Sequence, residues 1–296
     1  MKRQIFRIGT RESRLALIQT RLVADYLEQH GYGTVLVPIK TTGDRIQDRP
    51  LDAIGGKGLF VKELDLGLLD GRTELSVHSL KDLPMEIPEE LPLLGCSPRE
   101  DPRDVLVLPQ GVTEWDRSKP VGCAGKRRAC QLRELYPDIE ITPIRGNVET
   151  RLRKLDEGQY GALVLAAAGL IRLGLECRIS RYFSVEEMIP AAGQGILAVQ
   201  GRTDMDYEAL QGYFDAEAAC CALAERAFIR AVGGGCSAPM AAYGALDGDV
   251  LTLTGYCCDP DGTNSWRGKI QGGRTDAEQI GLALAARWRA EVSRGR

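Results

Sequence analysis

Histidine is almost absent: only His30 and His78 occur in 296 residues. The nine cysteines, at 96, 123, 130, 177, 220, 221, 236, 257 and 258, show no metal-ligand spacing. Both facts argue against a zinc centre. The odd cysteine count argues against a closed disulfide framework, and most of these thiols are expected to be small buried hydrophobes. A basic excess is missing too. The formal net charge is −3, which argues against a nucleic-acid partner and confines any cationic site to one place on the molecule. The most apolar segment, Ala162 to Ile171, is too short to cross a bilayer, which takes ~20 residues, so no membrane partner is expected. The basic start Met1-Lys2-Arg3-Gln4-Ile5-Phe6-Arg7 leads into no apolar core, so it does not read as a signal peptide and a cytoplasmic location is expected. Nucleotide fingerprints are also lacking. Gly55-Gly56-Lys57-Gly58 has neither the spacing nor the following Ser/Thr of a phosphate loop. No internal repeat and no low-complexity segment is visible.

What is present is an ordinary globular composition, 44% hydrophobic and 27% charged, with length for two or three domains. The first part alternates strands and helices. Strands are predicted at Phe6–Ile8, Val35–Ile39 and Leu75–His78, and helices at Leu15–Glu28, capped by Ser13, and Lys57–Leu69. This rhythm predicts a doubly wound α/β sheet. The polar stretch Ser97–Arg103 reads as a linker or a surface loop. A second series follows, with strands at Val105–Leu108, Ile139–Ile144 and Ala162–Leu165. Its helices are Arg127–Leu135 and Val148–Glu157, the latter capped by Asn147. The turn Pro190–Gly195 is where the chain is expected to cross back to the first domain. From about Glu217 the pattern changes to a helix (Glu217–Val232), strands at Met240–Leu246, Val250–Cys258 and Trp266–Ile270, and a last helix (Ala277–Arg289). Asp247-Gly248 signals a hairpin between the first two of these strands.

The chemistry concentrates in a few segments. In Leu75-Ser76-Val77-His78-Ser79-Leu80-Lys81-Asp82-Leu83-Pro84, the proline stops a strand and leaves Lys81 and Asp82 at its carboxyl end, where open α/β sheets bind ligands. Asp82 is suited either to stabilise a developing cation or move protons, or simply to pair with Lys81 or an arginine. Arg127 and Arg128 start a helix just after the loop Gly122-Cys123-Ala124-Gly125, Arg145 ends a strand, and Arg151 lies in the first turns of the next helix. Basic residues at a helix start oppose its dipole, so an anion is the expected reason for them. Residue type alone does not separate carboxylate from phosphate. Cys236 follows Gly233-Gly234-Gly235, and reads either as an accessible thiol or as a turn beside a buried one.

Taken in order, these segments resemble the porphobilinogen deaminase (hydroxymethylbilane synthase) family over nearly the whole chain. The matching stretches are Arg7–Ser13, Thr42-Gly43-Asp44, Gly55–Phe60, His78–Pro84, Arg99–Asp104, Arg145-Gly146-Asn147, Ala192–Gly195 and Gly234-Gly235-Cys236. The resemblance implies two α/β domains like type II periplasmic binding proteins plus a small C-terminal α+β domain. The corresponding boundaries are 1–98 with 194–216, 99–193, and 217–296. It implies a monomeric transferase that condenses four molecules of porphobilinogen head to tail, releasing ammonia. A dipyrromethane cofactor held by a thioether is implied at Cys236, with Asp82 as the catalytic acid. The implied cofactor and substrate binders are Arg11, Ser13, Lys57, Ser79, Lys81, Arg127, Arg128, Arg145, Arg151, Arg172 and Gln194. Because porphobilinogen carries two carboxylates per ring, the resemblance also accounts for the arginines in an acidic chain. One departure stands out: where the family has Thr-Ser-Ser and then leucine before the paired arginines, this chain has Cys123-Ala124-Gly125 and Lys126. Arg14 stands where the family often has proline. The alternative reading is a non-catalytic two-lobed protein that senses a carboxylate-rich ligand, which would need neither Asp82 nor Cys236.

Overall fold

The computed structural model describes residues 4–45, 58–235, 238–259 and 261–294. The chain divides into two compact units, Met1–Arg99 with Ile196–Ala219, and Glu100–Gly195 with Cys220–Arg296. The first unit holds β1 (Ile5–Arg11), α1 (Arg14–Gln29), β2 (Gly33–Ile39), α2 (Thr42–Arg45), α3 (Lys62–Leu69), β3 (Leu75–Ser79) and β4 (Leu93–Cys96). The second opens with β5 (Asp104–Val107), β6 (Val121–Cys123), α4 (Lys126–Leu135), β7 (Ile141–Pro143), α5 (Val148–Asp156), β8 (Ala162–Ala166), α6 (Ala167–Arg172) and β9 (Arg181–Tyr182). Strand β10 (Leu197–Gly201) returns to the first unit. The remaining elements are α7 (Ala216–Ala231), β11 (Met240–Asp247), β12 (Val250–Cys258), β13 (Ser265–Gly273) and α8 (Ala277–Arg294).

Each unit is built on a five-stranded mixed sheet, ordered β2-β1-β3-β10-β4 in the first and β7-β6-β8-β5-β9 in the second. The two orders are equivalent. In each, three parallel strands are followed by one antiparallel strand, β10 against β3 and β5 against β8. The central strands are buried on both faces, as parallel strands covered by helices must be: β3 and β8 are apolar or fully enclosed nearly throughout. The first core gathers Phe6, Ile8, Val23, Leu27, Leu75 and Leu197. In the second unit two clusters, one around Val105, Leu163 and Leu170 and one around Val121, Leu132 and Val164, lie on the two sheet faces. A third, antiparallel sheet, β11-β12-β13, completes the second unit. Its helices α7 and α8 meet at Gly281, where a Cβ would stand 2.4 Å from the Ala224 carbonyl oxygen.

Local signals read correctly where the cause is local. Ser13 caps α1, its Oγ accepting from the Ala16 N–H at 3.4 Å, and Asn147 caps α5 through the Thr150 N–H at 2.8 Å. Four expectations need correction. The strand before Asp82 ends at Ser79, and Lys81 and Asp82 sit on a 3₁₀ turn, Leu80–Asp82, because Leu80 is buried and its N–H bonds to the Ile196 carbonyl. The hairpin turns on Gly248-Asp249, with Asp247 paired to Val250. Gly248 (φ +57°) takes the first central place, which favours it for its positive φ. Cys123 is not a loop residue but the buried last residue of β6. Among the described residues, the helix predicted at Lys57–Leu69 begins only at Lys62. No helix among the described residues is long and apolar enough to cross a membrane.

Candidate active site

Both five-stranded sheets carry their chemistry at one edge, the carboxyl ends of the parallel strands. In the first unit β1 ends at Arg11 and β3 at Ser79. A pocket there is lined by Arg11, Gln19, Phe60, His78, Ser79 and Asp82, among others. The Arg11 guanidinium lies 4.1 Å above the Phe60 ring and is paired with Asp44 on α2. Asp44 is held further by the Thr41 hydroxyl at 2.6 Å. Burial tends to raise its pKa, but the bonds from Arg11 and Thr41 outweigh this and hold the carboxyl below its usual range. The Ser79 hydroxyl and the Gln19 amide exchange hydrogen bonds at 3.0 and 3.2 Å. Behind them His78 is buried, with Nε2 3.1 Å from Gln200 Oε1. Burial, opposed by that bond and reinforced by the Arg11 charge, pushes His78 down to about 4, so the ring is neutral near pH 7. Asp82 is exposed at the lip of this pocket, and Lys81 beside it is partly buried. Ser13 spends its hydroxyl on the α1 cap.

In the second unit the parallel strands β6, β7 and β8 end at Cys123, Pro143 and Ala166, and each is followed by a basic helix or turn. Helix α4 starts at Lys126 with Gly125 as its N-cap (φ +93°), which has no side chain to make a capping bond. No acid stands in its first turn, so its dipole is uncompensated by local charge. Arg127 and Arg128 are only 8% and 7% exposed, and both bind Asp104, the fully buried first residue of β5. That carboxylate is therefore one anion that explains this pair, and it lies within the chain. Burial would raise the Asp104 pKa, but the two guanidiniums outweigh it and keep it far below the usual carboxylate range. Gln194 adds a third anchor, its Nε2 giving 3.0 Å to Asp104 Oδ1 and 2.6 Å to the Pro102 carbonyl. Arg172, at the end of α6, bonds to the Gly195 carbonyl at 2.6 Å. Arg145 lies in the turn after β7, and Arg151 in the first turn of α5 reaches back to the Gly146 carbonyl at 2.8 Å. Burial of Cys123 pushes its thiol up to about 11, so it is a packed hydrophobe and not a nucleophile.

Sequence reasoning singled out neither Asp104 nor Glu225 as a site residue. Glu225, on α7 and fully buried, accepts from the Gly193 and Gly244 amides, both at 2.7 Å. It thereby ties the Gly193–Gly195 turn to the helix that leads to Cys236. That helix ends in a glycine cap: Gly233 (φ +74°) donates to the Arg230 carbonyl and Gly234 to the Ile229 carbonyl. A Cβ at Gly234 would strike Met240 Sδ at 2.7 Å, while at Gly235 it would meet nothing within 4 Å among the described residues. Two expected site residues, Lys57 and Cys236, lie outside the described residues. Among the described residues no cluster of three or more His, Cys, Asp or Glu could hold a metal.

Comparison with known proteins places the chain in a family. Residues 6–209 match the family model "Porphobilinogen deaminase, dipyromethane cofactor binding domain", and residues 219–290 match "Porphobilinogen deaminase, C-terminal domain". The porphobilinogen deaminase of Alkaliphilus oremlandii is 51% identical over 288 residues, 96% of this chain and 97% of that protein. The porphobilinogen deaminase of Acetivibrio thermocellus is 50% identical over 281 residues, 94% and 96%. Among solved structures, a methionine-binding protein aligns with TM-score 0.45 at 10% identity, over 71% of this chain and 88% of its own. The periplasmic aliphatic sulphonate-binding protein of Escherichia coli aligns with TM-score 0.41 at 11% identity, over 77% and 70%. With both family models matched in sequence order and relatives half-identical over nearly the full length, the chain belongs to the porphobilinogen deaminase family.

Proposed function

We propose that this chain runs its family's reaction with Asp82 as the catalytic acid and Cys236 as the anchor of the cofactor. The protein is a hydroxymethylbilane synthase, a transferase that joins four porphobilinogen molecules head to tail with loss of ammonia on a dipyrromethane primer. The primer supplies the free pyrrole position at which the chain is extended. The residues present fit such a group. It is rich in carboxylates; in the first unit Arg11 lines the pocket at the sheet's carboxyl edge, and in the second unit the paired arginines follow an N-cap glycine that brings no side chain to the helix start. Arg11, Ser13, Lys57, Ser79, Lys81, Arg127, Arg128, Arg145, Arg151, Arg172 and Gln194 are the proposed carboxylate binders and their supports. Lys126, exposed at the start of α4, stands where the family has leucine and adds charge next to the three positions that carry hydroxyls in the family.

The observation that carries the reading is Asp82 on the lip of a pocket that Arg11 and Ser79 also line. As ammonia leaves, positive charge develops on the pyrrole, and an exposed carboxylate already in place stabilises it without reorganisation. Asp82→Asn keeps the shape and removes the charge. We expect it to fold and retain cofactor while turnover drops by about 10²–10³. Ammonia release by this variant at near the wild-type rate would sink the assignment.

The finer statements belong to the same proposal. The net charge of −3 supports a protein without a nucleic-acid partner, and a cytoplasmic location without a membrane partner is part of the same reading. The family supports a monomer, which sedimentation would test. The division into domains 1–98 with 194–216, 99–193, and 217–296 is supported by the three separate sheets.

A further inference from the structure

Arg127 and Arg128 are neighbours in sequence, yet their guanidiniums are used differently. Arg128 turns its fork on Asp104: Nε and Nη2 reach Oδ1 at 3.0 and 2.8 Å. Arg127 binds Asp104 Oδ2 through Nη1 alone, at 2.6 Å, and the same nitrogen gives its second hydrogen to the Ile189 carbonyl at 2.8 Å. The Nε/Nη2 edge of Arg127 then has no partner among the described residues. That edge is the one whose two parallel N–H bonds match a carboxylate. A guanidinium pinned at one nitrogen and only 8% exposed cannot swing to find a ligand, so the pin sets where the edge faces.

We propose that Asp104 is a positioning residue: with Gln194 and the Ile189 carbonyl it fixes Arg127 so that its Nε/Nη2 edge takes a ligand carboxylate, while Arg128 serves as the fixed counter-charge of Asp104. This rests on the reading of the site given above and deepens it. Of the two arginines, only Arg127 binds ligand through its fork. Asp104 touches neither cofactor nor substrate.

The first test uses the wild-type protein and needs no variant to fold. With arginine ¹⁵N-labelled, the Nε–H resonances of Arg127 and Arg128 are compared before and after the cofactor-free protein is loaded with hydroxymethylbilane. The Arg127 signal should shift and become protected, and the Arg128 signal should stay in place. An Arg127 signal unmoved by loading overturns the proposal.

The second test separates positioning from neutralisation. Asp104→Asn combined with Arg128→Met has the same net charge as the native trio but lacks the charged pin on Arg127, leaving the Ile189 carbonyl. The loaded fraction by intact mass, at limiting hydroxymethylbilane, should fall about 10- to 100-fold, as for the loss of one charge-assisted hydrogen bond. A double variant that loads like wild type reduces Asp104 to a counter-charge and overturns the proposal. Neither readout depends on turnover. A wild type that takes up no cofactor sinks the reading of the whole site, whereas equal loading of wild type and double variant sinks only the role of Asp104.

Discussion

Asp82 and Asp104 stand at the same kind of edge, yet one faces solvent and the other is sealed between two arginines. Burial sorts the other acids and bases of the first unit in the same way. Asp65 is raised by burial to about 6, against the opposing bond from Gln200 and with help from the Glu90 charge. The folded protein therefore keeps a proton on Asp65 between pH 3.8 and about 6 where the unfolded chain does not, so this residue costs stability as pH rises through that window. His78 works in the opposite sense. Its folded value of about 4 lies below the unfolded 6.5, so the unfolded chain gains the proton first and stability falls as pH drops from 6.5 to about 4. The two slopes oppose each other over most of that range. Asp65→Asn removes one of them. It should stabilise the protein by about 1–2 kcal/mol at pH 7 and change little near pH 3.5. Urea unfolding of both proteins across pH 3.5–8 checks this; an equal difference at all pH values would refute it.

At the scale of elements, the cap of α4 decides how far the sequence departure matters. Read as a loop, Cys123-Ala124-Gly125 lacks the hydroxyls its relatives place there. In the fold, Cys123 closes a buried strand and only Gly125 occupies the cap, at φ +93° with no atom within 4 Å of where a Cβ would stand. A side chain there meets backbone strain and no clash. Gly125→Ala should therefore cost about 1 kcal/mol or slightly more in thermal or urea unfolding, whereas Gly235→Ala, with open space and no positive φ, should be near neutral. An Ala at 125 that unfolds like wild type would show that this cap is not held at positive φ. The same contrast shows what was legible beforehand. Caps at Ser13 and Asn147 read well because they act within one turn. The 3₁₀ turn under Asp82 did not, because it forms to bond Leu80 to Ile196, which is 116 positions away (196 − 80). Short strands such as Val121–Cys123 were missed because three residues leave too little periodicity to read.

Across the whole chain, the strand order inside each sheet could not be read from local pattern. Strands β5 and β10 enter antiparallel among parallel neighbours, and this is what brings Asp104 to the carboxyl end of β8 and Leu197 to the carboxyl end of β3. The arginines themselves were visible as misplaced charges at helix starts; their partner Asp104 was not, since its role depends on that pairing. Local pattern singles out Asp82 and Cys236 but leaves their roles open, and the short motifs recurring in family order imply those roles. The direct measurement is peptide mass mapping of the protein made in porphobilinogen-producing cells. The account predicts an added mass of two porphobilinogen-derived units on the peptide bearing Cys236 and on no other, lost in Cys236→Ser. An unmodified Cys236, or the same mass on another thiol such as the exposed Cys177, would contradict it.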